Sequence, residues 1–343
     1  MNKIFITGAT GYIGGEIIYQ LLSHGGFEIT ALIRNEAKAD KLPGGIKKVV
    51  GTLDDSPLLK KMVNENDIII NAANVDHWQS AKAISEALIA SKEKKILIHN
   101  SGAAVLNDHL SKTKGPSTTI YKDDDLSAME SLPDSQPHKK IDNLILSLHE
   151  KNPLIQTAII SPSTVFGKSD GYDKKMSIQI PSLIKSSIKH GQAFTVYSGN
   201  YVWSHIHIKD LGELYYIVLK KMIADEPIPK NEQGYYFGAY DDEVEKVKVE
   251  HTWKEVAETV AEGLNAKKVV DTPRIASLTP QQVVTLSNDK MSPHLWGSNS
   301  RCRGKNAYKI GWQPKHTKPN EFLKSIQHDV DNVVAAGSTI PVG

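Results

Sequence analysis

The sequence predicts an α/β protein built on a doubly wound parallel sheet with a smaller, mainly helical C-terminal lobe. Short β-rich runs alternate with helical patterns over the first two-thirds of the chain. A glycine-rich turn stands directly between the first of these strands and the first helix. Beyond Trp253 the pattern is mainly helical.

Taken in order, the elements are a strand at Lys3–Thr7, a helix at Gly14–Ser23, a strand at Glu28–Ile33, a helix at Leu58–Asn64 and a strand at Asp67–Asn71. A helix around Ser80–Ser91, a strand at Lys95–His99, a helix near His138–His149 and a strand at Gln156–Ile160 continue the alternation. Right-handed crossovers wind such units into one sheet with helices on both faces. Leu106–Pro137 interrupts the rhythm. It is polar, rich in Asp, Ser and Pro, and longer than a plain connection, which marks a functional or mobile loop. From Gly167 the pattern is mixed, with a helix near Ile180–His190, a strand near Val202–Ile208 and a helix at Asp210–Met222. The expected plan is a sheet domain over residues 1–165 and an interleaved remainder over 166–343. Within that remainder, 200–240 returns to the sheet and the rest forms a substrate lobe.

Composition narrows the function classes. With 41 basic and 39 acidic residues the formal net charge is +2, too close to balance to point to nucleic acid or an anionic membrane. The single cysteine, Cys302, excludes an intramolecular disulfide and a Cys-rich metal site, and fits a reducing, cytoplasmic setting. No apolar run approaches the ~20 residues of a membrane span. The expected partner is a small-molecule substrate, and the expected assembly a monomer or homodimer.

Chemistry enters at Thr7-Gly8-Ala9-Thr10-Gly11-Tyr12-Ile13-Gly14-Gly15. This strand–turn–helix context is the one a dinucleotide fingerprint demands, so the fold is Rossmann-type and Gly8 to Gly14 are candidate cofactor-binding residues. Gly8 permits the turn, Gly11 lets backbone approach the pyrophosphate, and Gly14 allows close packing of helix on strand. The helix N-terminus then offers free N–H groups to the phosphates. About 20 residues beyond such glycines an acid would bind the ribose of NAD, whereas Arg accommodates the 2′-phosphate of NADP. Here that position is Arg34, with no acid beside it, so NADP is expected over NAD.

The motifs TGATGYIGG, GTLDDSPLL at 51–59, NAA at 71–73, SPSTVFG at 161–167, HIHIKDL at 205–211 and IGWQP at 310–314 together resemble the extended short-chain dehydrogenase/reductases, including their epimerase/dehydratase-like branches. The resemblance runs across nearly the whole chain. It implies that Thr52 and Leu53 meet the adenine, that Ala72 and Ala73 meet the pyrophosphate and ribose, and that Pro162, Ser163 and Thr164 line the nicotinamide end. In the family a serine or threonine follows the fifth strand, and a tyrosine is followed four residues later by lysine. This chain departs from that pattern. Ser101, or by another alignment Gly102, fills the first position, and Pro137-His138-Lys139-Lys140-Ile141-Asp142 stands where tyrosine and lysine would be. The catalytic candidates are therefore Ser101, His138, Asp142 and the loop residue Tyr121. If His138 opens a helix, Asp142 lies on the same face and could orient its imidazole.

His205 and His207 share a strand face, but no third ligand is evident and no metal is expected. Ser101 lacks the Gly-x-Ser-x-Gly surroundings of a hydrolase nucleophile. Arg301 and Arg303 could hold an anionic substrate group. The expected function is NADP-dependent hydride transfer at a carbonyl or alcohol carbon. The alternatives are a non-catalytic NADP-binding regulator and a nucleoside-diphosphate-sugar epimerase or dehydratase.

Overall fold

In the computed structural model, which describes residues 1–108, 110 and 115–337, the alternation becomes seven parallel strands. These are β1 (Asn2–Thr7), β2 (Phe27–Ile33), β3 (Lys47–Val50), β4 (Ile68–Asn71), β5 (Lys95–Asn100), β6 (Ile155–Pro162) and β7 (Tyr235–Gly238). Their order is β3-β2-β1-β4-β5-β6-β7. The chain starts in the middle of the sheet, winds out through β2 to β3, and then returns past β1 to build the other half. The reversal between β1 and β4 opens a crevice at the carboxyl ends of the strands, where such sheets bind ligands.

Successive residues of a strand face opposite sides of a sheet, so a strand apolar at every position needs cover on both. In β1, Ile4 and Ile6 join one apolar cluster while Phe5 joins another. The first cluster lies under α1 (Tyr12–His24) and α5 (Ile208–Ile223), through Ile17, Leu21, Ile208 and Leu211. The second lies under α2 (Ser56–Glu65), α3 (Trp78–Ala90) and α4 (Lys139–Leu146), through Leu59, Ile84, Ile141 and Ile145.

Four features depart from the sequence expectation. Strand β3 was not foreseen, because Lys47-Lys48-Val49-Val50 is a short, half-exposed edge strand that pairs only with β2 and carries the lysines that guard such edges. The helix expected over 138–149 is interrupted at Ser147, and α4 begins only at Lys139. His138 stands outside it in the left-handed region, φ 68°. Of the stretch 200–240, only β7 enters the main sheet. Val202–His207 instead joins Thr164–Phe166 and Glu250–Thr252 in a separate three-stranded sheet. Within 106–137, where 109 and 111–114 lie outside the described residues, the chain forms a helix at Leu126–Glu130 and a short strand at Tyr121–Lys122. Among the described residues no helix is long and apolar enough to cross a membrane.

Candidate active site

The glycine turn is held by backbone rather than by side chains. Gly8 has φ +76°, and a Cβ there would stand 2.2 Å from the carbonyl oxygen of Ala72 at the end of β4. A Cβ on Gly14 would stand 2.2 Å from the carbonyl oxygen of Gly8. Gly11 donates its N–H to that same oxygen at 2.8 Å. Helix α1 starts at Tyr12 with no side-chain cap, so its first-turn N–H groups remain free to meet an anion.

A cleft of about 580 Å³ opens on this turn. Gly8, Thr10, Gly11, Tyr12, Ile13 and Gly14 form one wall, and Arg34, Lys38, Thr52 and Leu53 close the β2 end. Ala72 and Ala73 lie in the middle, and Asn100, Ser101, Pro162 and Ser163 close the far end. Two expected residues are not in the wall. Ala9 is buried inside the turn, and Thr164 is buried in the three-stranded sheet, so its neighbour Val165 faces the cleft instead. Arg34 is exposed and makes no ion pair among the described residues. The backbone cradle, the free helix turn and the unpaired guanidinium together fit the phosphates of a dinucleotide.

At the far end the catalytic candidates separate. Ser101 lines the cleft and donates its hydroxyl to Asp142 Oδ2 at 2.9 Å. The Tyr235 hydroxyl donates to the same oxygen at 3.0 Å, and Asp142 Oδ1 has no partner among the described residues. Burial raises the Asp142 carboxyl to about 6, against the lowering effect of the Ser101 hydrogen bond, His138, Tyr235 and Lys139. The tyrosine hydroxyl is pushed well above its ordinary value by burial and the adjacent carboxylate.

The expected pairing of His138 with Asp142 does not form. His138 lies outside the helix, so the four-residue spacing carries no shared face, and its Nδ1 is 2.8 Å from Asp76 Oδ1 instead. Its Nε2 is turned toward the backbone of Gly102. Tyr121 is remote from the cleft wall, paired through its strand to Cys302–Arg303 and packed on the second apolar cluster. Beneath the cleft, Thr7 Oγ1 donates to Asn71 Oδ1 at 2.7 Å, and Asn71 Nδ2 lies 3.1 Å from His99 Nδ1. Burial lowers His99 to about 3, so the ring stays neutral.

Sequence reasoning missed Asp76, Lys38 and Tyr235. Tyr235 carries no motif and lies 93 residues from Asp142 in the chain. Only the placement of β7 beside β6 brings it to the site.

The remaining candidate clusters serve the fold. Arg301 pairs with Glu250, and Arg303 is buried between Asp242 and Glu250, so neither is free for a substrate anion. The His207 and His316 rings stack 3.8 Å apart at 14°. Although Glu321 is close to both, stacked rings send their in-plane lone pairs along separate planes, a poor match to one tetrahedral ion.

The profile of the NAD(P)H-binding family matches residues 8–132, and that of the NAD dependent epimerase/dehydratase family matches residues 122–228. The oxidase ucsJ of an Acremonium species is 29% identical over 91% of this chain and 93% of its own length. A 4-hydroxy-2-methyl-3-oxo-4-farnesyl-3,4-dihydroquinoline-1-oxide ketoreductase of Stigmatella aurantiaca is 24% identical over 62% of each chain. Among solved structures, the fold is similar to UDP-glucose 4-epimerase of Thermotoga maritima, with TM-score 0.65 and 12% identity over 97% of this chain and 99% of that one. It is also similar to dTDP-glucose 4,6-dehydratase of Bacillus anthracis in complex with NAD, with TM-score 0.63 and 18% identity over 99% and 98% of the two chains. Two adjoining family profiles, NAD(P)H-binding and NAD dependent epimerase/dehydratase, thus match the chain, and its seven-stranded parallel sheet and glycine cradle agree with the fold of these solved structures.

Proposed function

We propose that this protein is an NADP-dependent oxidoreductase that acts on a carbonyl or alcohol group of a small molecule. The observation that carries the reading is the continuity of the cleft. One cavity runs from the unpaired Arg34, over the glycine cradle, to Ser101 and its buried carboxylate. The glycine turn and the first turn of α1 would hold the pyrophosphate, and Arg34 with Lys38 would meet the 2′-phosphate. When bound, such a cofactor supplies or takes a hydride. The chain supplies position and proton traffic. Ser101 is the hydroxyl that faces the substrate oxygen, and His138, held by Asp76, packs against Gly102 outside the cleft lining.

The epimerase alternative draws less support from the site. A sugar nucleotide brings a second pyrophosphate, and Arg301 and Arg303, the arginines the sequence offered for an anionic substrate group, are already paired internally. The test is twofold. Purified protein is given NADPH with a panel of aldehydes and ketones, and NADP⁺ with the corresponding alcohols, and turnover is expected for at least one pair. Arg34→Ala is expected to weaken NADPH about tenfold or more while sparing NADH, since charge-assisted contacts contribute ~1.5–3 kcal/mol. Tight NADPH binding with no turnover across the panel would favour a regulator. Equal loss for both nucleotides would remove Arg34 from the 2′-phosphate.

A further inference from the structure

We infer that Ser101 and Asp142 form a proton relay that carries the substrate hydroxyl proton out of the cleft into a buried carboxylate, with Tyr235 positioning that carboxylate. The inference rests on the oxidoreductase reading and adds to it the route of the proton.

A serine hydroxyl has a single proton, and that of Ser101 is committed to Asp142 Oδ2. What Ser101 can offer the cleft while Asp142 is ionised is an acceptor lone pair, which suits an alcohol and not a ketone. As hydride leaves the carbinol carbon, the alcohol O–H bond breaks and its proton passes to Ser101 Oγ. The proton already on Oγ passes to Asp142 Oδ2. The balance is one alcohol, one carboxylate and one oxidised nicotinamide giving one carbonyl compound, one carboxylic acid and one reduced nicotinamide. In the reductive direction the same path runs backward, from protonated Asp142 through Ser101 to the carbonyl oxygen. After product release the proton returns through Ser101 to water in the open cleft.

The surroundings make Asp142 a base suited to this task. The residue is 2% exposed and receives two donors, both on Oδ2, while Oδ1 has none among the described residues. A carboxylate so sparsely solvated holds a proton more readily than one in water, which agrees with its rise to about 6. The groups acting on it are Ser101 at the end of β5, Tyr235 on β7, and His138 and Lys139 at the start of its own helix. Where α3 approaches, Trp78 lies under Lys140. Tyr235 cannot serve as the proton source, because burial and the adjacent carboxylate hold its hydroxyl protonated. It fixes Oδ2 toward Ser101 and lowers the carboxyl.

The experiment combines infrared difference titration of the full chain with pH profiles of NADP⁺ reduction, using the alcohol found active in the panel. The parent should show a protonated carboxyl that titrates near pH 6 and disappears in Asp142→Asn, and oxidation should rise with pH through the same value. Tyr235→Phe removes a donor to the carboxylate, so the infrared titration and the kinetic limb should move upward together. Ser101→Ala should keep a titrating carboxyl yet lose ~10²-fold or more in rate, the usual scale for a lost proton-transfer group. Asp142→Asn should lose a similar factor, and Ser101→Ala decides the matter if Asp142→Asn fails to fold. A kinetic limb that stays in place while the infrared titration moves would overturn the relay, as would a parental rate in Ser101→Ala. If nothing in the panel turns over, the oxidoreductase reading fails by itself. A carboxylate ionised across pH 4–8 would then sink the relay separately.

Discussion

Lys38, in the short helix that follows β2, is ion-paired with Asp173 in the strap that leads from β6 toward the C-terminal lobe. Lys38 and the neighbouring strap residue Lys174 both line the cleft, so the pair joins its two banks beside Arg34. Partly exposed ion pairs of this kind contribute ~0–1 kcal/mol, and a bound 2′-phosphate would compete with Asp173 for the lysine. Asp173→Asn is therefore expected to tighten NADPH severalfold with NADH unchanged, and Lys38→Ala to weaken NADPH preferentially. Fluorescence titration of both nucleotides checks this. A loss of affinity in Asp173→Asn would mean that the pair holds the cleft in shape and does not compete with the phosphate.

Gly11 and Gly14 of the turn should respond differently to substitution. A methyl on Gly14 has backbone in its way at 2.2 Å, whereas one on Gly11 meets the Gly8 oxygen at 3.0 Å and otherwise faces the cleft. Gly14→Ala should therefore cost stability, ~1–3 kcal/mol or more by the usual scale for forced overpacking. Gly11→Val should leave the fold intact and abolish nucleotide binding. Denaturant unfolding and nucleotide titration separate the two effects, and a Gly11→Val protein that still binds NADPH would put the pyrophosphate elsewhere.

For His138 the expectation follows its observed partner. Its imidazole is bonded to Asp76 and turned toward Gly102, so it is expected to support the backbone that follows Ser101 and not to carry the substrate proton. His138→Ala should lower the rate by tenfold or less, with Asp76→Asn matching it. A loss of ~10²-fold in His138→Ala, with the pH profile of the parent retained, would return the proton to the imidazole.

Asp329, in the helix Glu321–Gly337, gives a stability test with a defined sign. Burial raises its carboxyl to about 7. The folded protein therefore keeps a proton that the unfolded chain releases near pH 4, so this group favours folding fully below pH 4 and loses that contribution as pH rises through 7. Asp329→Asn should stabilise the protein at pH 8, by a few kcal/mol at most given ~1.4 kcal/mol for each pKa unit, and bring no gain at pH 4. Thermal melts at the two pH values decide it.

The part of this site that was legible in the sequence is the part whose chemistry is local. A glycine turn must follow its strand and precede its helix, so Gly8 to Gly14 could be assigned by spacing, and Arg34 by its distance from them. The proton-handling end was only partly legible. Ser101 and Asp142 were visible as candidates, but their bond to one another crosses from β5 to α4 over 41 residues. The pairing inferred in its place assumed a helix that included His138. A single left-handed residue moved the helix start by one position and turned the imidazole to Asp76. β3 escaped for the opposite reason, since an edge strand with two lysines has no buried face to impose a period.

The seventh strand also bears on how the molecule is made. β6 ends at Pro162, but its outer neighbour β7 does not begin until Tyr235. A growing chain that has just completed β6 thus presents a row of unpaired amides on a strongly apolar strand, the kind of template on which partly folded chains join one another. The sheet closes its edge only when the second half of the chain has followed. Truncation after residue 165 should accordingly yield an aggregating fragment, and the nascent protein should be most vulnerable, and most in need of chaperones, while residues 163–234 are being synthesised.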